Sequence, residues 1–203
     1  MKRMLLIVDP QNDFITGSLT VPNAKEAMSK LADFISKRGV EYDVISVTLD
    51  SHPENHCSFI ENGGIWPKHC ILHTNGWGFP EYLDDAIKEL NQIKSDIAFH
   101  LYLKGTECDK EEYSIFDNAK DGNLLKKDIQ RYLQNDSDVY IDVCGIAGDY
   151  CVLETLKGLK DIVDVSQITI LEPYTASIDG GNALKSFAEE NKIKIIEKFF
   201  SKL

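Results

Sequence analysis

The sequence predicts a doubly wound α/β fold, a mostly parallel six-stranded sheet with helices on both faces in Rossmann-type layering. Three observations carry it. Apolar, β-branched-rich runs recur six times, segments with helical spacing lie between them, and the first run, RMLLIV, has almost no polar position. Alternation of strand and helix implies right-handed crossovers and a parallel sheet. A strand that is apolar on both faces implies cover on both sides.

Taken in order, the strands are RMLLIV (3–8), DVISVTL (43–49), IAFHLYL (97–103), DVYIDVC (138–144), QITIL (167–171) and IKIIE (193–197). Each is a short run bounded by polar or turn-forming residues. The helices are AKEAMSKLADFISKR (24–38), EYLDDAIKELNQI (81–93), NLLKKDIQRYLQ (123–134), CVLETLKGLKDI (151–162) and ALKSFAEENK (183–192), where apolar residues return every three or four positions. Two connections, 50–80 and 104–122, are too long for a tight strand-to-helix turn, and such lengths mark functional or disordered segments. Trp66, Trp77, Phe59 and Phe79 argue for order in the first of them. No repeat or linker interrupts the 203 residues, so one domain, 1–203, is expected.

Composition narrows the function. With 33 acidic and 22 basic side chains the net charge is -11, which disfavours nucleic acid and anionic membrane surfaces as partners. No stretch reaches the roughly 20 apolar residues of a membrane span. Five cysteines without a secretory signal suit a reducing cytoplasm. A homo-oligomer is compatible with this composition.

Ligands of open α/β sheets bind outside the carboxyl ends of the strands. There the chain places Asp9 in VDPQNDF, Asp50 in LDSHPENH, Lys104 in YLKGTECD and Cys151 in GIAGDYC. Singly, each has a structural reading: a turn cap, a loop charge, a packed thiol. Together they supply a nucleophile, a proton carrier and a cation that holds both in charged form, which is what amide hydrolysis needs. The helix start after GIAGDY is electropositive. It should lower the Cys151 thiol pKa, and the main-chain N–H groups between Ala147 and Cys151 would form an oxyanion hole.

Asp50-Ser51-His52 at a strand end puts an acid and an imidazole on one face, and a later histidine in WPKHC (66–70) would close a three-ligand site. One carboxylate with two imidazoles suits Zn, Fe or Mn. A closed structural zinc site from His52, His56, Cys57, His69 and Cys70 is the rival, weakened by the lack of a Cys-x-x-Cys pair.

VDPQNDF, TLDSHPENHCSF, WPKHC, KGTECDKEEYSIF and GIAGDYCV resemble, in order and spacing, the isochorismatase-like cysteine hydrolases, and among them the nicotinamidases. The resemblance implies Asp9, Lys104 and Cys151 as catalytic residues, with Ala147 and Cys151 N–H groups as the oxyanion hole. It implies Asp50, His52 and His69 as ligands of one divalent metal, zinc first and iron or manganese as alternatives. A non-proline cis bond at Ile146-Ala147, and Phe14 and Trp66 against the substrate ring, follow from it as well. Some bacterial members add a glutamate ligand, near which Glu61 stands one residue out of register. Relatives often carry Thr where this chain has Gly148. His56 has no assigned role; Cys57, Cys70 and Cys144 are expected to be packed thiols. The implied activity is hydrolysis of a small carboxamide, nicotinamide or pyrazinamide, in NAD salvage. A metal-free amidase for another carboxamide or ureido substrate, and a binding module on a degenerate scaffold, are the alternatives.

Overall fold

The structure, a computed structural model, describes residues 1–135 and 138–198. Six strands form one sheet: β1 (Lys2–Val8), β2 (Val44–Asp50), β3 (Ala98–Lys104), β4 (Val139–Ile146), β5 (Ile168–Ala176) and β6 (Lys194–Ile196). Their order is β3-β2-β1-β4-β5-β6, and every pairing is parallel. The chain runs outward from β1 to β3, then returns to pair β4 with β1 and runs outward the other way. The crevice at the carboxyl end of β1 and β4 is therefore the topological switch point where such sheets bind ligands.

Alternation along β1 explains the two cores. Leu5 and Ile7 face α2 (Ala24–Arg38) and α3 (Glu81–Ile93), while Met4, Leu6 and Val8 face α4 (Asp121–Asn135), α5 (Cys151–Leu159) and α6 (Asn182–Asn191). Helix α2 buries Ala24, Ala27, Met28, Leu31 and Ile35, the stripe that its sequence spacing requires. None of the described helices is long and apolar enough to cross a membrane.

Every strand and helix expected from the sequence is present, and the differences have local causes. One further helix, α1 (Asn12–Ile15), is a single turn and too short for periodicity to reveal. Strand β5 runs on to Ala176, beyond the apolar run, because a register shift opposite Val143 and Gly145 lets the strand carry Glu172 and Pro173. The connection 50–80 is ordered, with isolated bridges His52 to Ile71 and Phe59 to Trp66.

Candidate active site

Asp9, Asp50, Lys104 and Cys151 stand on four neighbouring strand ends, and all four are buried. Lys104 is the hub. Its Nζ lies 2.9 Å from Asp9 Oδ2, 2.9 Å from Asp50 Oδ1, 3.5 Å from Cys151 Sγ and 3.2 Å from the Glu112 carbonyl. Thr48 Oγ1 donates to Asp9 Oδ1 at 2.7 Å. Asp9 Oδ2 is buried and ion-paired with Lys104 at 2.9 Å, and among the described residues it accepts no hydrogen bond from Lys104, which leaves it a lone pair toward Cys151.

Burial works against the charge on Lys104, but Asp50, Asp9 and Cys151 hold its proton well above the usual range. Burial would raise Asp50, yet Lys104 and His52 hold it well below the carboxylate range. Asp9 is raised by burial, with Lys104 opposing and Asp50 adding. Burial pushes the Cys151 thiol well above its ordinary value; Lys104 opposes, and Asp9 and Asp50 add to the rise. This corrects the expectation that the helix start would lower the thiol pKa. Burial and two carboxylates outweigh the Lys104 cation.

Around the thiol the backbone is set for an anion. The Ile146-Ala147 peptide is cis, and α5 begins at Cys151 without a side-chain cap on Tyr150. The Ala147 carbonyl accepts from Tyr150 and Val152 N–H groups at 3.1 and 3.0 Å. A Cβ at Gly148 would meet Ser177 Oγ at 2.1 Å, so the serine hydroxyl already fills the space a larger residue would take there.

The second cluster joins the first through Asp50. Its Oδ1 faces Lys104, and its Oδ2 faces His52 Nε2 at 3.1 Å and His69 Nε2 at 3.7 Å. His52 Nδ1 lies 2.9 Å from the Gly105 carbonyl and His69 Nδ1 2.8 Å from the Pro67 carbonyl. A carbonyl can only accept, so both Nδ1 atoms carry hydrogen and both Nε2 lone pairs converge on a carboxylate oxygen. His52 Nε2 is buried without a hydrogen-bond partner. Lone pairs converging on an anion need a cation between them, and the ligand atoms of Asp50, His52 and His69 lie within 4.8 Å of one another. The donor set therefore fits a divalent metal. Gly105, at φ +63, is required here: a Cβ would stand 2.5 Å from His52 Cε1.

Glu61 stands outside this cluster; it is exposed and paired with Lys68 at 3.0 Å. His56 has no lone pair to give a metal, since Nδ1 meets Ser58 Oγ at 2.7 Å and Nε2 the Lys110 carbonyl at 3.0 Å. Instead it stacks on His52 with ring centroids 3.9 Å apart. The closed zinc site is thus not formed. Cys70 and Cys144 are buried as expected, but Cys57 is only half-buried.

Phe14 and Trp66 line one cleft with Cys151, Ala147, Asp50 and His69. Tyr113 and Tyr150, absent from the sequence reading, complete its wall. Trp66 Nε1 donates to Tyr113 Oη at 3.0 Å, and Tyr150 lies edge-on to Trp66 at 5.3 Å. The sequence reading also missed what the rest of VDPQNDF does. Gln11 clamps Asp50, donating to its carbonyl and accepting from its N–H, both at 2.8 Å. Asn12 Nδ2 donates to Asn75 O at 2.8 Å, and Asp13 Oδ2 accepts from Cys70 N at 2.8 Å, beside His69. Three uncharged or acidic residues in a row after a strand, facing a long loop, were the available signal.

An isochorismatase domain model matches residues 3–162. The nicotinamidase of Saccharomyces cerevisiae is 29% identical over 97% of this chain and 100% of its own length, and that of Escherichia coli 30% identical over 76% and 74%. Among solved structures, the pyrazinamidase of Pyrococcus horikoshii in complex with zinc has a TM-score of 0.73 and 32% identity, covering 98% of this chain and all of that one. The L. infantum protein solved in complex with nicotinate has a TM-score of 0.78 and 25% identity, covering 97% of this chain and 92% of that one. The chain belongs to the isochorismatase family of hydrolases and stands, within it, among the nicotinamidases.

Proposed function

We propose that the chain hydrolyses nicotinamide to nicotinate and ammonia, and accepts pyrazinamide, which differs by one ring nitrogen. That activity would serve NAD salvage. The observation that carries the reading is the junction at Asp50: a thiol, a carboxylate lone pair and an ammonium on one side, and two imidazoles converging on a carboxylate oxygen on the other. Asp50, His52 and His69 would hold one divalent metal, zinc first, with iron or manganese as alternatives. When bound, that metal supplies a Lewis-acidic contact that fixes the ring nitrogen.

The chain's own residues do the covalent work. Asp9 Oδ2 takes the proton from Cys151, whose sulfur is the nucleophile. Sulfur attacks the carboxamide carbon while the main-chain N–H groups of Ala147 and Cys151 receive the oxyanion. Asp9 returns the proton to departing ammonia, then deprotonates the water that splits the thioester. Lys104 keeps its charge throughout and balances whichever of Asp9 and sulfur is negative. Phe14, Trp66, Tyr113 and Tyr150 wall the ring.

The test is ammonia release from nicotinamide and pyrazinamide, before and after chelation. Chelation should abolish release and added zinc should restore it. His52→Ala should lose metal and weaken substrate binding. Undiminished turnover by metal-free protein, or a preference for ureido substrates, would overturn the reading in favour of a metal-free amidase.

A further inference from the structure

We propose that Cys57 and Cys108 form a reversible thiol–disulfide site, closing to a disulfide across the two long loops that frame the cleft. Cys57 lies in the loop after β2 and Cys108 in the loop after β3. The Cys57 N–H donates to the Cys108 carbonyl at 2.7 Å. A main-chain N–H···O=C bond of that length keeps the two Cα atoms within about 6.5 Å of each other, inside the roughly 4.4 to 6.8 Å that disulfides span. Two further ties hold the same seam, from His56 Nε2 to the Lys110 carbonyl at 3.0 Å and from His52 Nδ1 to the Gly105 carbonyl at 2.9 Å. Among the described residues neither cysteine joins a group of three metal-ligating side chains, so the pair is a dithiol and not part of a metal site.

The two thiols differ in access. Cys108 is exposed and Cys57 half-buried, and burial, with Glu111 and Asp109 nearby, raises the Cys57 thiol. Cys108 therefore reacts first. With a small-molecule disulfide such as oxidised glutathione, the Cys108 thiolate attacks one sulfur, forms a mixed disulfide and releases one glutathione thiolate. The Cys57 thiolate then attacks the Cys108 sulfur, forms the internal bond and releases the second. The two protein thiols lose two electrons and two protons, and the glutathione disulfide gains the electrons.

Further along, the same two loops carry Trp66 and Tyr113, whose hydrogen bond joins them in the wall of the cleft. A cross-link at the seam holds the loops at this spacing, so ligand passage slows. The cross-link stands apart from the amidase reading, whereas its effect on turnover rests on it.

The experiment treats the metal-loaded protein with oxidised glutathione. Peptide mass mapping should show Cys57 and Cys108 joined, with the loss of two hydrogens, and ammonia release from nicotinamide should fall several-fold and recover with dithiothreitol. Cys57→Ser and Cys108→Ser should keep full basal turnover, form no cross-link and resist that loss, which separates it from oxidation of Cys151. A persistent glutathione adduct on Cys108 with Cys57 still free would overturn the site. A complete cross-link with unchanged turnover would overturn the gating.

Discussion

The two ends of the sheet each carry a cluster of charge, and they are built on opposite plans. At the amino end, Arg3 pairs with Glu41 at 2.8 Å and Asp142 at 3.0 Å, Tyr42 Oη donates to Asp142 at 2.6 Å, and Arg38 grips Glu41 at 2.6 and 2.9 Å. Acids and bases alternate there, and the cluster touches solvent. At the carboxyl end, one ammonium faces two carboxylates and a thiol, in a site where Lys104 and Asp9 are fully buried and Asp9 Oδ2 and His52 Nε2 lack hydrogen bonds. The first cluster pairs every charge with an opposite one; the second gathers perturbed carboxylates, an ammonium and a thiol in one buried place, which is the mark of a reactive site.

Substitutions should separate the two ends. The largest effect is expected for Cys151→Ala, which should cut turnover by about three orders of magnitude or more, as loss of a nucleophile does, with metal content unchanged by elemental analysis. Next is Lys104→Met, which leaves Asp9 and Asp50 facing each other without a cation; it should abolish activity and cost about 3 to 5 kcal/mol in urea unfolding, as removal of one partner from a buried pair does. Retained stability would mean that the carboxylates share a proton at little cost.

At the amino end the order of effects reverses, with stability falling and turnover intact. Tyr42→Phe removes one bond to a carboxylate and should cost about 1.5 kcal/mol, with ammonia release unchanged; a loss of activity would break the comparison. The smallest effect concerns acid. Glu41 is held below its ordinary 4.5 by its bond to Arg38, with burial opposing and Arg3 assisting. Its contribution is present above 4.5 and is lost as pH falls through the lower folded value. The urea midpoint should fall with acidification, and Glu41→Gln should flatten that slope.

The sequence was most legible where chemistry and periodicity coincide. Asp9, Asp50, His52, Lys104 and Cys151 each end or follow a strand, so the strand pattern brings them to one rim, whereas His69 lies within the long loop after β2 and was placed there by the resemblance. Less legible were residues whose work is done through the backbone. Gln11 is buried and uncharged, and its clamp on Asp50 spans 39 positions that no local pattern links. Tyr113 and Tyr150 come from separate loops, and only the folded seam shows that they meet Trp66. The thiol was misjudged because a helix start is visible in sequence while the depth of burial is not.

The strand order also sets a schedule. Strand β1 pairs Lys2 with Val139, so the central contact of the sheet joins residues more than half the chain apart. Such non-local pairing is slow to form and comes late. As the chain leaves the ribosome, β1, β2 and β3 carry Asp9, Asp50 and Lys104 with one flank of β1 still unpaired, and only β4 both covers that flank and delivers Cys151. Of the six site residues Cys151 is therefore made last, and the nascent chain carries no assembled site until β4 pairs with β1.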